Sequence, residues 1–387
     1  MKVLQFILSL YVLMSLLSCT PTPTEVSKSE ERAPIYPDYT DLTIPVNIAP
    51  LNFLIRDSID AVYVTAGDII INNKGNEVVF DADDWNKLLK SNERIEVTVT
   101  TLKDGKWTEY RSFHWQVVKE KIDPYITYRL IEPDYEIWNN LQIKQRCVES
   151  FEEKALCDYH LANNQCMNCH VTANQDPSLS MMYVRGPKGG AVLNQNGHLR
   201  KLAIKTSDMS SGSVYYGFSP SGRYITFSTN IIIPAFHSKT GKRLEVYDSN
   251  SDVYVADLQE NRILRSPLLS DSLAFETFPT FSPDGKYIYY CSAAHVQLPK
   301  ELKQLQYALV RIPFDEKTGV IGNQADTLFN NRSVCHPRVS PDGRYIVYTV
   351  ADYGTFPIWH QESDLQMMDL QTGRIDSMAI VNSSRSD

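Results

Sequence analysis

Long apolar runs are almost missing from this sequence. After Leu17 no segment approaches the roughly 20 apolar residues that span a bilayer. Concentrated positive charge is missing too: 38 Lys and Arg stand against 46 Asp and Glu, a formal charge of −8, with no basic stretch. A nucleic-acid surface needs such a stretch to release counterions, so nucleic acid is not expected as a partner. The chain has no H-E-x-x-H and no Ser-His-Asp set around a nucleophile elbow, and no catalytic residue is assigned. Gly186-Pro-Lys-Gly-Gly190 is not G-x-G-x-x-G and precedes no helical pattern, so it is a turn and not a nucleotide loop. What remains is an ordinary globular composition, 43% hydrophobic and 22% charged, which excludes collagen, a coiled coil and a disordered acidic tail. Its 22 Tyr and 14 Phe lean towards strands, where aromatic side chains fit the pleated surface.

Residues 1–18 have the layout of an export signal, one Lys followed by an apolar run from Val3 to Leu17. The run ends in Leu16-Leu17-Ser18-Cys19, which resembles a bacterial lipobox, and that resemblance makes Cys19 the lipidated N-terminus of the mature chain. Residues 19–35, rich in Thr, Pro, Ser and charge, have the composition of a flexible tether. The expected location is the bacterial cell envelope, anchored through Cys19 to the outer membrane and facing the periplasm.

Residues 36–133 alternate apolar and polar positions between turn signals at Asn73-Lys74-Gly75-Asn76 and Lys103-Asp104-Gly105-Lys106. A β-sandwich of about 100 residues is expected, with one short helix capped by Asp81. Residues 134–180 break this pattern. They carry helix formers and four of the seven Cys, and predict a short helical or loop segment.

From Met181 to Asp387 the chain repeats itself. Gly217-Phe-Ser-Pro-Ser-Gly-Arg-Tyr, Thr280-Phe-Ser-Pro-Asp-Gly-Lys-Tyr and Arg338-Val-Ser-Pro-Asp-Gly-Arg-Tyr place their Pro at 220, 283 and 341. Pro fixes φ and Gly supplies the positive φ of a turn. Each turn leads into a strand and then a second hairpin, the four strands of one propeller blade. A mainly β chain ending in a β-propeller is therefore predicted. At about 60 residues per copy, 181–387 holds about three and a half units, so the propeller is expected to lack at least one blade at its C-terminal end, unless strands from 181–204 help to close it.

The chemistry lies in Cys166-Met167-Asn168-Cys169-His170. Two thiols at this spacing can add to the vinyl groups of haem, and the adjacent imidazole can ligate its iron, so Cys166, Cys169 and His170 are the expected haem c site. Candidates for the distal ligand are Met181, Met182, His160 and His198, with Met209, His237, His295, His336 and His360 more remote. The competing fates are disulfides, Cys166 with Cys169 or Cys147 with Cys157. Asp248, Asp252, Asp284 and Asp342 have the composition of turn caps, and Cys291 and Cys335 of buried free thiols.

The repeats resemble the TolB-like propeller repeat. The chain from Tyr36, through PVNIAPLNF, YRLIEP, CMNCH, VRGPKGG, EVYDSNSDVYV and FETFPTFSPDGK, is similar to a Bacteroidetes-type family of TolB-like lipoproteins with a haem c motif. The resemblance implies a propeller beside one covalent haem, with electron transfer or redox or ligand sensing, and docking to an envelope or redox partner. The alternative is a propeller scaffold in an envelope complex whose Cys are oxidised. Peroxidase or hydrolytic chemistry ranks last, because a fold alone warrants no enzyme.

Overall fold

A computed structural model describes residues 20–130, 141–162, 166–236, 244–357, 360–379 and 381–382. The export segment and Cys19 lie outside the described residues, as does His237. The chain divides into two compact units: one runs to Tyr128 and takes in Lys144–Leu156, the other comprises Arg129–Ile143 and Cys157–Asp387. Among the described residues no helix is long and apolar enough to cross a membrane.

The first unit packs a seven-stranded sheet and a three-stranded sheet with one helix around a single apolar core. In the larger sheet Arg94–Lys103 is central, pairing with Lys106–Arg111, Phe113–Val118 and Ala61–Ala66. Asp104 and Gly105, both at positive φ, close its hairpin as the sequence predicts. The Asn73–Asn76 turn does something else: the strands on its two sides belong to different sheets. The helix, Ala82–Ser91, starts where expected, with Asp81 accepting from the main-chain N–H groups of Asp83 and Asp84 at 2.9 and 3.1 Å. It buries Trp85, Leu88 and Leu89, and Trp85 meets Trp115 edge-on at 5.4 Å.

The second unit is propeller-like. Four sheets follow one another, each beginning with an inner strand: Met167–Ala173, Ser213–Phe218, Ala274–Phe281 and Ser333–Val339. Successive inner strands pack against each other. The three Ser-Pro turns behave as read. Gly222, Gly285 and Gly343 have φ of 71, 69 and 72°, and each closes onto the carbonyl of the Ser three residues earlier. The serines add a function the sequence reading missed: Oγ of Ser219, Ser282 and Ser340 accepts from the N–H of Tyr224, Tyr287 and Tyr345 at 3.2, 2.9 and 2.9 Å. Asp284 and Asp342 cap these turns, each accepting from its Ser hydroxyl and from the N–H two residues on.

Two expectations need correction. The segment 134–180 is not helical where it is described. It forms the strands Gln142–Cys147, Glu153–Asp158 and Met167–Ala173, with one short 3-10 turn at Tyr159–Ala162. Pairing partners override the helix propensity of Gln, Lys, Glu and Leu. Nor is the motif a separate segment ahead of the propeller, because Met167–Ala173 is the inner strand of the first blade, completed by Asp176–Val184, Gly190–Gln195 and His198–Leu202. Residues 181–204 thus belong to a four-stranded blade of their own and do not complete another.

Candidate functional site

Every inner strand carries the same irregularity. The register slips between Asn168 and Val171, Val214 and Gly217, Thr277 and Thr280, and Cys335 and Arg338. Inside each slip one residue other than Gly takes a positive φ: Cys169 at 57°, Tyr215 at 52°, Phe278 at 51° and His336 at 51°. Such values are uncommon for bulky residues and re-aim the side chain out of the strand's alternation. Where the inner strands converge, Tyr215, Phe278 and His336 meet in tilted and edge-on contacts, with ring centroids 4.0 to 5.8 Å apart. Cys169 holds the equivalent place in the first blade. His170 occupies the position that is Tyr216, Pro279 and Pro337 in the others, and it is half-buried.

The slip brings the two thiols together. Cys166 and Cys169 line one cavity of about 50 Å³, with Tyr183, Arg185, Val214, Tyr215, Asn230 and Ile232 as the other walls. Burial pushes both thiols up from their ordinary pKa, and the positive charges of Arg129 and Arg185 act against it. At Cys169 the main-chain N–H of Tyr215 also favours the thiolate. Two sulfurs opening into one space beside Arg185 suit the linked edge of a haem c, but the imidazole of His170 is not among the walls of that space. The space is far below the roughly 300–1,000 Å³ of a cofactor pocket, so it takes the linking ends of such a group and not its ring. Among the described residues no cluster of three or more His, Cys, Asp or Glu is arranged as a site for a bare metal ion.

The proposed distal ligands scatter. Met181 is 2% exposed and packs with Ala191, Leu193, Val171 and Cys169, while Met182, on the other face of the same strand, packs near Cys166. These two flank the thiols. His160 is exposed, 3.3 Å from Asp158 and stacked on Tyr159. His198 begins the outermost strand of the blade, roughly 14 Å from the inner strand at the usual strand spacing, and does not join the site. Met209 is a core residue, His295 lies against Phe275, and His360 sits between Glu362 at 2.8 Å and Glu245 at 3.8 Å. His336, a remote candidate by sequence, packs against Tyr215 and Phe278. It shares the bulge position with Cys169, and burial, with Arg338 and Arg129, pushes its pKa down to about 3, so it is neutral. Its signal in the sequence is its place four residues before Ser340-Pro341, which matches Tyr215 and Phe278.

Cys147 and Cys157, one of the competing disulfide pairings, are free cysteines in this structure. The Cys147 N–H donates to the Glu152 carbonyl at the hairpin turn, and Cys157 stands five residues further along, roughly 17 Å at the rise of a strand, well beyond disulfide reach. Cys291 and Cys335 are buried free thiols, as read. Asp248 is no turn cap: it is fully buried between blades.

No protein-family model matches the chain, and no curated protein does. Among solved structures it is similar to an apocarotenoid oxygenase of Synechocystis, at 11% identity and TM-score 0.38, over 86% of this chain and 83% of that one. It is similar to an acylaminoacyl peptidase of Pyrococcus horikoshii at 10% identity and TM-score 0.37, over 67% of this chain and 38% of the peptidase. The WD40 domain of Toxoplasma gondii coronin matches at 8% identity and TM-score 0.31, over 85% and 76%. At these scores the likenesses carry no argument; the propeller-like fold rests on the four blades themselves.

Proposed function

We propose that this chain is an envelope lipoprotein that carries one haem c on Cys166 and Cys169 and passes single electrons, its propeller docking the redox partner. The observation that carries this reading is the shared cavity of the two thiols, created by a bulge that the strand alternation alone would not give. Haem c supplies a one-electron couple that stays with the protein because it is covalently held. Cys166 and Cys169 would hold it as thioethers and His170 would ligate its iron. Arg129 and Arg185 would pair with its carboxylates, and Tyr183, Val214 and Ile232 would keep water from its linked edge. Lipid on Cys19 would hold the protein at the membrane surface.

The test is expression in a bacterium with the c-type maturation machinery, read by a pyridine haemochrome spectrum of envelope fractions. The chain is expected to give a c-type spectrum, the single variants Cys166→Ser and Cys169→Ser a reduced yield with altered bands, and the double variant none. A double variant that keeps the spectrum excludes this site.

A second reading, a propeller scaffold without haem, is favoured by one observation. Cys169 fills a place that Tyr215, Phe278 and His336 fill in the other blades by packing alone. In that case Cys166 and Cys169 would be oxidised to a disulfide in the envelope.

A further inference from the structure

Asp248 has no exposed surface, and among the described residues no Lys or Arg pairs with it. Its surroundings are one amide and neutral oxygens drawn from three blades. Asp248 and Ser251 stand on the strand Leu244–Asp257 of the second blade. Tyr307 immediately precedes the strand Ala308–Asp315 of the third, and Thr355 lies in the loop after Tyr345–Ala351 of the fourth. The Asn230 amide donates to Asp248 Oδ1 at 2.9 Å, and Tyr307 Oη donates to Oδ2 at 3.4 Å. The Thr355 hydroxyl faces both Asp248 and Tyr307, and the Ser251 hydroxyl faces Tyr307. Neither hydroxyl oxygen has a hydrogen-bond partner, although Ser251 is fully buried and Thr355 is 1% exposed.

A buried charge is normally paired or bound to a metal ion, and a buried hydroxyl is normally hydrogen-bonded. Here a carboxylate has no counter-charge, and two hydroxyls close to it have no partners. Burial pushes the Asp248 pKa up to about 6, so at pH 7.5 the group is mostly an anion. One small cation would supply the charge and accept lone pairs from the hydroxyls together.

We propose that Asp248, Ser251, Thr355 and Tyr307 form a site for one alkali-metal cation, which ties the second, third and fourth blades together where they meet. All four donors are oxygen, the ligand type of hard cations and not of zinc or copper. Charge narrows the class further. A single positive charge neutralises the one carboxylate, whereas a calcium ion would leave a net charge in the interior, where an unpaired charge is costly. The frame is already fixed. The Tyr307 N–H donates to Ser333 Oγ at 3.0 Å, Ser333 Oγ donates to the Gly354 carbonyl at 2.5 Å, and the Gly354 N–H donates to the Leu305 carbonyl at 2.8 Å. The segments that carry Tyr307 and Thr355 are thus tied to each other. On the opposite side the Asn230 amide orients the carboxylate, held by Ser228 Oγ at 2.7 Å and Thr277 Oγ1 at 3.1 Å. The site uses neither thiol and stands whether or not haem is attached.

The experiment is thermal unfolding of the full chain at pH 7.5 and constant ionic strength, with sodium, potassium or calcium chloride replacing choline chloride. Sodium or potassium is expected to raise the midpoint by about 3–6 °C at roughly ten times its dissociation constant, and the more effective of the two identifies the ion. Thr355→Val and Ser251→Ala each remove one oxygen and should raise the half-saturating concentration by about fivefold or more. Asp248→Asn, whose amide needs no counter-charge, should abolish the response, and Glu276→Gln should leave it unchanged. Crystals of the chain soaked in thallium(I) should show an anomalous peak against the Asp248 carboxylate. Should Asp248→Asn fail to fold, the thallium peak and the shift in Thr355→Val decide the matter. A midpoint that is the same in sodium, potassium and choline, a response that survives Asp248→Asn, or no thallium peak at Asp248 overturns the site and leaves water beside the carboxyl group. A response to calcium with none to either alkali salt overturns the single charge and with it the proposal.

Discussion

Glu276 is a carboxyl group held at 2% exposure on the inner strand of the third blade, and burial pushes its pKa up to about 8 from 4.5. The Asp271 main-chain N–H, 3.3 Å away, offsets this only in part, and the carboxylates of Asp252 and Asp271 add to it. A raised carboxyl pKa means that the folded state binds its proton more tightly than the unfolded chain does. The stabilisation is complete below pH 4.5 and is lost as pH rises through 8. At 1.36 kcal/mol per unit, the loss over that window is about 5 kcal/mol. Glu276→Gln removes the titration and keeps an oxygen for the Asp271 N–H. Urea unfolding followed by far-UV circular dichroism at pH 5 and pH 8.5 measures the consequence. At pH 5 the variant should match the wild type within about 1 kcal/mol, and at pH 8.5 it should be more stable by about 3–5 kcal/mol. A difference between the two proteins that is the same at both pH values refutes the reasoning, because it leaves no proton linked to folding at this position.

Two further outcomes test the packing. Trp115 is fully buried, donates from Nε1 to the Tyr39 carbonyl at 2.7 Å and meets Phe80, Trp85 and Phe113; Trp115→Ala should cost the first unit about 3–5 kcal/mol in urea unfolding, and a cost under about 1 kcal/mol would contradict its central place. Gly319 and Gly343 share a positive φ, 76 and 72°, but a Cβ at 319 would meet Tyr224 Oη at 3.0 Å and Leu264 Cδ1 at 3.2 Å, whereas one at 343 meets nothing within 4 Å. Both Ala variants should lose the roughly 1–2 kcal/mol of a left-handed backbone, and Gly319→Ala should lose measurably more; equal losses would show that the contacts at 319 yield freely.

Three blades were legible because their turns are encoded residue by residue, Pro for one dihedral and Gly for the other. The first blade was hidden because its turn uses different chemistry: Asn174 and Gln175 take positive φ in succession, at 49 and 62°, with no Ser-Pro before them. The spacing of Cys166, Cys169 and His170 announced a two-thiol site. Its setting did not show, since the helix formers around it are overruled by strand pairing that only the folded blade supplies. Nothing local marks Asn230 or Asp248 as a pair, because their network draws Tyr307 and Thr355 from later parts of the chain. His336 could have been found by aligning the blades from their serines backwards, a comparison that asks where the repeats agree in backbone and not in side chain.

The most direct measurement is the intact mass of the chain purified from the envelope of a host that matures c-type cytochromes, taken after denaturation. Covalent attachment predicts the mass of the processed chain, its lipid and one haem, with the Soret absorbance travelling with the polypeptide. The mass of the lipidated chain alone, with Cys166 and Cys169 recovered as a disulfide or as free thiols, would contradict the account.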